Sequence, residues 1–145
     1  MVKNLQVSTE DSGISKKFVH AVIRFLIVEY NLKINFLSIS FISSEKLKEI
    51  NKQYLNHNYE TDIITFDYGT MKKEIDGEIL ISYEIVRFNS KKYKITYRNE
   101  LVRLIIHGLL HLLNFDDKNS VNKKLMKKEE NKLINKFNFA LFAGE

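Results

Sequence analysis

The residues best suited to chemistry are two histidines four positions apart, His107 and His111, within the segment TYRNELVRLIIHGLLHLLNF. The spacing of leucine, valine and isoleucine in this segment predicts a long helix. On a helix, residues four apart share one face and lie about 6 Å apart along the axis. Two imidazoles in this arrangement can bind one metal ion, so the sequence predicts a metal site on a central helix.

A third ligand can come from the end of the same helix. Asn114 can end a helix in the left-handed conformation, and Asp116 and Asp117 follow it closely. Two histidines and one aspartate would leave a coordination position for water, which is typical of catalytic zinc sites. Gly108 stands where zinc proteases of the HExxH type carry a glutamate, which disfavours peptide hydrolysis by that mechanism. The alternative is that the histidines are ordinary core residues.

Composition narrows the class of protein. The 145 residues are 44% hydrophobic and 28% charged, with no cysteine and no proline. No apolar run approaches the ~18 residues of a membrane span, and the first residues lack the apolar core of a signal peptide. We therefore expect a cytoplasmic protein without a membrane partner. The absence of cysteine excludes thiolate nucleophiles and cysteine-ligated metals. The net charge of +5 agrees with a polyanionic partner, although a lysine-rich composition can also produce it.

The sequence predicts one α+β domain over residues 1–145, with a small mixed β-sheet packed with helices. Apolar spacing predicts helices and runs rich in β-branched residues predict strands. The expected helices are 15–30, 45–55, 83–92, 96–115 and 121–137, and the expected strands are 34–43, 62–68 and 74–82. Gly77, inside the last strand, indicates a bulge, a bend or a close approach of backbone. The last helix is expected to bury Leu125, Met126, Leu133, Ile134 and Phe137.

The string HGLLHLLNFDD, residues 107–117, resembles the signature HGxLHLxGYDH of the YbeY family. Members of this family are bacterial metal-dependent endoribonucleases linked to ribosomal RNA maturation and ribosome quality control. Other segments match the family in order and spacing, and the resemblance covers about residues 35–135. These segments are residues 55–56, 61–66, 77–82 and 100–104, together with Met126 and Glu130.

The resemblance implies a function and a ligand set. It implies a single-strand-specific endoribonuclease that acts in 16S 3′-end maturation, with ribosomal RNA and the ribosome or ribosomal proteins as partners. It implies one Zn²⁺ per chain, held by His107, His111 and Asp117, and no nucleotide cofactor. Such an ion would polarise a phosphoryl oxygen and lower the pKa of a bound water. The alternatives are a non-catalytic ribosome-binding assembly factor with a structural metal, or a metal-dependent hydrolase of another substrate.

The chain departs from the family pattern at three places. Asp117 replaces the usual third histidine, and an anionic ligand should make the bound water less acidic and favour harder metals. Asn114 replaces a glycine, which a left-handed position tolerates. The loop before residues 61–66 commonly carries an arginine implicated in activity. This chain has HNYE there, which makes His57 a candidate accessory residue.

Further candidates lie near the metal helix. Glu100 precedes His107 by two helical turns, so it can accept the free ring N–H of a ligand histidine or form a surface ion pair with Arg103. Basic residues just before the helix are expected to guide RNA phosphates to the site. These candidate RNA-binding residues are Lys91, Lys92, Lys94 and Arg98. The lysines of the last helix, at positions 123, 124, 127, 128 and 132, are expected to form a solvated face.

Overall fold

The computed structural model describes residues 1–55 and 61–143. Strands and helices alternate irregularly along the chain, as expected for an α+β protein. In chain order they are β1 (Leu5–Thr9), α1 (Lys16–Tyr30), β2 (Lys33–Ile42), α2 (Ser44–Leu55), β3 (Ile63–Asp67), β4 (Glu74–Ser82), α3 (Tyr83–Lys92), α4 (Tyr97–Leu112) and α5 (Ser120–Ala143).

The strands form one mixed sheet in the order β1-β2-β4-β3. β1 and β4 both run parallel to β2, whereas β3 pairs antiparallel with β4. Strand β1 was not predicted from the sequence. It is only five residues long, with Leu5 buried and Val7 partly buried. It pairs with residues 37–41 of β2, which follow α1 in the sequence. The fold class predicted from the sequence is confirmed.

The two faces of the sheet carry different cores. One face, including Ile79 and Ile81 of β4, packs against α1, α4 and α5 in the main hydrophobic cluster. On the other face, Leu80 and Ile64 pack against Leu47 of α2 in a smaller cluster. The alternation along β4 therefore places α4, which carries the histidine pair, on the more deeply buried face.

Gly77 marks a close approach rather than a bulge. A Cβ atom at this position would lie 2.7 Å from the backbone oxygen of Phe66 and 2.9 Å from Cδ2 of Leu112. The irregularity in the pairing of β2 with β4 lies elsewhere, between Ile34 and Phe36. Gly77 thus allows the last residue of α4 to rest directly on the sheet.

The eight elements expected from the sequence are present, and α5 departs most from its prediction. It continues to Ala143, six residues beyond the predicted end at residue 137. Met126, Leu133 and Phe137 are buried as predicted, but Leu125 is 56% exposed. That assignment was wrong because Met126, Leu133 and Phe137 define the inward stripe, and Leu125 lies about 100° around the helix from Met126, on its exposed side. Within the described residues, no helix is both long and apolar enough to cross a bilayer.

Candidate active site

Helix α4 positions both histidines by packing its opposite side tightly on the sheet. It begins at an N-cap formed by Thr96, whose hydroxyl accepts from the backbone N–H of Asn99. At Gly108 a Cβ atom would lie only 2.9 Å from Cγ2 of Ile79. The glycine between the two histidines therefore lets α4 approach the sheet more closely than any larger residue would.

The two imidazoles converge. Nε2 of His107 and Nε2 of His111 are 3.1 Å apart, and the rings meet at an interplanar angle of 69°. Two ligand nitrogens about 2.0–2.1 Å from a tetrahedral zinc ion lie about 3.3 Å from each other. The observed spacing is therefore close to that of two ligands on one ion.

The loop after α4 brings a carboxylate to the same place. The helix ends with the backbone N–H of Asn114 donating to the carbonyl of His111, and that of Phe115 donating to the carbonyl of Leu110. Asn114 has a φ of 72°, so the predicted left-handed terminator is confirmed. This cap reverses the chain. One carboxylate oxygen of Asp117 and one nitrogen from each of the two histidines lie within 4.8 Å of one another.

The neighbouring aspartate has another role. Oδ1 of Asp116 accepts from the backbone N–H of Lys118 at 3.1 Å and from Nδ2 of Asn122 at 2.9 Å. These bonds lower the pKa of Asp116, the one from Asn122 most strongly. Asp116 thereby fixes the loop to the start of α5, while Asp117 is free to face the histidines.

Nδ1 of His107 contacts Glu130 of α5, at 2.7 Å from Oε1. A carboxylate only accepts hydrogen bonds, so Nδ1 carries the proton and Nε2 presents its lone pair to the site. Of the two roles that the sequence left open for Glu100, the structure gives the histidine contact to Glu130 and the ion pair with Arg103 to Glu100. Glu130 is 6% exposed and lies 23 residues from His107, so helical spacing along α4 could not reveal it.

Glu100 is completely buried and holds Arg103 in a bidentate ion pair, with distances of 2.7 and 2.6 Å to Nε and Nη2. It also accepts from Nδ2 of Asn89 in α3 at 3.0 Å. Nη1 of Arg103 reaches to 4.0 Å from Oε1 of Glu130. The carboxylate of this pair is therefore buried while Arg103 is partly exposed, and the pair connects α3 with the carboxylate that holds His107.

The surroundings of His111 lower its pKa and so favour the neutral imidazole. Burial lowers its pKa most, and the neighbouring His107 lowers it further, against the opposing effect of acids that include Asp117. A neutral imidazole offers a lone pair at neutral pH, which metal binding requires. The electrostatics of the site therefore agree with its geometry.

A cavity of about 430 Å³ opens beside the histidines. Its described lining includes three acids and Arg103, and also Tyr93 and two lysines of α5, Lys123 and Lys127. The acids are Glu100, Asp117 and Glu130. The basic residues predicted to guide RNA lie outside this lining: Lys91, Lys92 and Lys94 are exposed, and the guanidinium of Arg98 lies over the ring of Phe18 at 4.7 Å. His57 falls outside the described residues.

The donor set fits a divalent transition metal. Two imidazole nitrogens and one carboxylate oxygen are ordinary zinc ligands, and three protein ligands leave room for water. Of the acids in the described lining, Glu100 is bound to Arg103 and Glu130 to His107. Neither is available to take a proton from water, so activation of a nucleophile at this site would rest on the ion.

Comparison with known proteins identifies the family. The model of the family described as "Endoribonuclease YbeY" matches residues 2–138. A relative with that name from Parabacteroides distasonis is 42% identical over 122 residues, which cover 84% of this chain and 85% of the relative. Another, from Bacteroides fragilis, is 40% identical over 121 residues, covering 83% and 86%.

A solved structure shows the same fold. The solution structure of a protein from Thermotoga maritima superposes with a TM-score of 0.67, covering 97% of this chain and 93% of the other at 23% identity. The matching family model and the relatives at about 40% identity agree with the signature around the two histidines. The chain belongs to the YbeY family of endoribonucleases.

Proposed function

We propose that this protein is a metal-dependent endoribonuclease that hydrolyses phosphodiester bonds in single-stranded RNA. The observation that carries the proposal is the convergence of two imidazole nitrogens, 3.1 Å apart, with the Asp117 carboxylate beside an open cavity. The relatives named endoribonuclease supply the reaction class. The alignments cover most of the length of these relatives, and both relatives are named endoribonuclease. The two alternatives, a non-catalytic assembly factor with a structural metal and a hydrolase of another substrate, are therefore not favoured.

His107, His111 and Asp117 would hold the ion, one zinc per chain. When bound, the ion supplies a Lewis acid for the phosphoryl oxygen and lowers the pKa of a water. Glu130 keeps the proton of His107 on Nδ1, so that Nε2 stays available as a ligand. Arg103 partly neutralises Glu130 and limits how much negative charge the site accumulates.

The substrate we propose is ribosomal RNA in the cytoplasm, processed at the 16S 3′ end, with the ribosome or its proteins as partners. An outer basic surface of Lys91, Lys92, Lys94 and Arg98 would attract phosphates by long-range electrostatics. His57 remains a candidate accessory residue for the cleavage. The basic net charge of +5 supports a polyanionic substrate.

The experiment compares Asp117→Ala with Asp116→Ala. Purified proteins are analysed for bound metal and for cleavage of a fluorescently labelled single-stranded RNA, with and without a chelator. Asp117→Ala should lose metal and cleavage together, whereas Asp116→Ala should retain most of both, because its carboxylate is engaged by the loop. The two variants change the same charge at adjacent positions, so each controls for the other.

Two results would overturn the proposal. A wild-type protein that holds stoichiometric metal but cleaves no RNA with any divalent metal added would favour the assembly-factor reading. An Asp117→Ala variant that retains the metal content of the wild type would remove Asp117 from the ligand set.

A further inference from the structure

One face of α5 lines the cavity beside the metal site. Lys123, Met126, Lys127 and Glu130 all contribute to the lining. Their spacing of three, one and three residues places them on a single face of a helix. The bond between Glu130 and His107 fixes the rotation of α5, so the same contact that orients a metal ligand also aims the two lysines at the cavity.

The charges along this face are ordered by depth. Glu130 is buried at the metal site, whereas Lys127 lies about 4.5 Å and Lys123 about 10.5 Å from it along the helix axis. Both lysines are exposed, and within the described part of the chain neither has a carboxylate partner among the ion pairs. Lys124 and Lys128 of the same helix are exposed too, but they are not part of the cavity lining.

The lining of the cavity also has an apolar and aromatic part. Tyr93 and Ile95, in the turn between α3 and α4, line the cavity while remaining 59% and 39% exposed. The backbone N–H of Tyr93 caps α3, which fixes the position of the residue independently of its ring. Nζ of Lys92 lies 5.3 Å from the centre of that ring, so one face of it is occupied by a cation.

We propose that a single RNA strand crosses this cavity with its backbone phosphates on Lys123 and Lys127 and one unstacked base on Tyr93. The inference rests on the proposed function and names the substrate contacts of the same site. Non-sequence-specific binding of single strands combines a positive groove for the backbone with aromatic rings for the bases, and both kinds of residue line this cavity. A paired base could not stack on Tyr93, so this arrangement would itself select single strands.

The first test isolates the lysines. Binding of a fluorescein-labelled single-stranded RNA is measured by anisotropy in chelator, so that no cleavage occurs, over a series of salt concentrations. The double variant Lys123→Ala/Lys127→Ala should bind more weakly and reduce the slope of log K against log salt by about 1.4, since each phosphate contact on a single strand contributes about 0.7. Lys124→Ala/Lys128→Ala carries the same charge change one residue further around the helix and should leave the slope nearly unchanged. Equal losses in both variants would overturn the proposal, because a general charge effect would then explain them.

The second test isolates the ring. Tyr93→Ala should weaken binding about 5- to 150-fold, the range that loss of one base–aromatic stack produces, and Tyr93→Phe should restore it. Phe88→Ala is the matched control, because Phe88 is 62% exposed and also contacts Lys92 but does not line the cavity. With an RNA of the same length in which every nucleotide is abasic, wild type and Tyr93→Ala should bind equally. A loss of the same size on both RNAs would refute stacking.

These tests separate the subsite from the reaction. Binding is measured without metal, so a wild type that shows the contrast between the lysine pairs but cleaves no RNA would refute the proposed function and retain the subsite. A wild type that cleaves RNA while both lysine pairs behave alike would refute the subsite and retain the function. A wild type that neither binds nor cleaves RNA would refute both.

Discussion

Removing the charge of Glu130 should weaken metal binding in a graded way. Its carboxylate is 6% exposed and accepts from Nδ1 of His107 at 2.7 Å. Glu130→Gln keeps an oxygen acceptor of the same shape but replaces a charge-assisted hydrogen bond by a neutral one, a difference of about 1 kcal/mol. We therefore expect metal affinity to fall about 5-fold. Glu130→Ala removes the acceptor altogether and should lower affinity about 10- to 100-fold, as is usual for partners of ligand histidines.

Affinity is measured by competition with a chelating indicator for Zn²⁺ or Co²⁺, and thermal unfolding of the metal-free variants shows whether each remains folded. Glu129→Gln is the matched control, because the adjacent Glu129 pairs with Lys132 at 2.8 Å rather than with a histidine. Its metal affinity should stay within about twofold of wild type, since Glu129 forms no ion pair with a histidine. Wild-type affinity in Glu130→Ala, with the fold intact, would refute the role of Glu130. So would equal affinities in the Gln and Ala variants, because the grading comes from the hydrogen bond.

Three further outcomes are expected. Asp117→His should keep the ion, because histidine supplies a neutral nitrogen donor. The pH at which cleavage activity rises should be lower, because loss of the anionic ligand makes the bound water more acidic. An unchanged pH profile would contradict this. Gly77→Ala should lower the free energy of unfolding in urea by about 1–3 kcal/mol, because the new methyl group would lie 2.7 Å from a carbonyl oxygen of β3. Gly13→Ala, whose nearest neighbour would be 3.4 Å away, should change it by less than about 1 kcal/mol, and equal effects would refute the packing argument. The folded-state pKa of His111 lies below its unfolded value of 6.5, so the unfolded state binds more protons. The free energy of unfolding of the metal-free protein should therefore fall as pH drops below about 6.5. His111→Asn should reduce this slope without abolishing it, because burial also lowers the pKa of His20, and an unaltered slope would count against the lowered pKa of His111.

The parts of the site that were predicted from the sequence are those set by local geometry. The spacing of His107 and His111 on one helix follows from the helical repeat. The reversal at Asn114 follows from the tolerance of asparagine for positive φ, and it brings Asp117 back toward the helix. Each of these relations spans ten residues or fewer, so the pattern of residue types was sufficient to predict them.

The relations that were missed join distant segments. The contact of Glu130 with His107 depends on how α5 rotates against α4, and strand β1 exists because residues 37–41 offer it a partner across α1. A signal for Glu130 was nevertheless present. Met126, Leu133 and Phe137 are spaced as one apolar stripe, and Glu130 occupies the missing position of that stripe. A lone acid within an apolar stripe requires a partner that donates a hydrogen bond or carries a positive charge, and α4 offers such groups in its histidines and Arg103.

The rotation of α5 links the fold to the chemistry. Turning the helix by one residue, about 100°, would expose Glu130, withdraw Lys123 and Lys127 from the cavity and bring Leu125 inward. That turn would expose the buried side chains of Met126, Leu133 and Phe137. It would also separate the carboxylate of Glu130 from its partner His107. Packing, ligand orientation and the placement of positive charge are therefore three consequences of one helix orientation. For this reason a substitution such as Leu133→Ala, remote from the histidines, should lower metal affinity and RNA binding together, whereas the exposed Lys128→Ala should leave both unchanged.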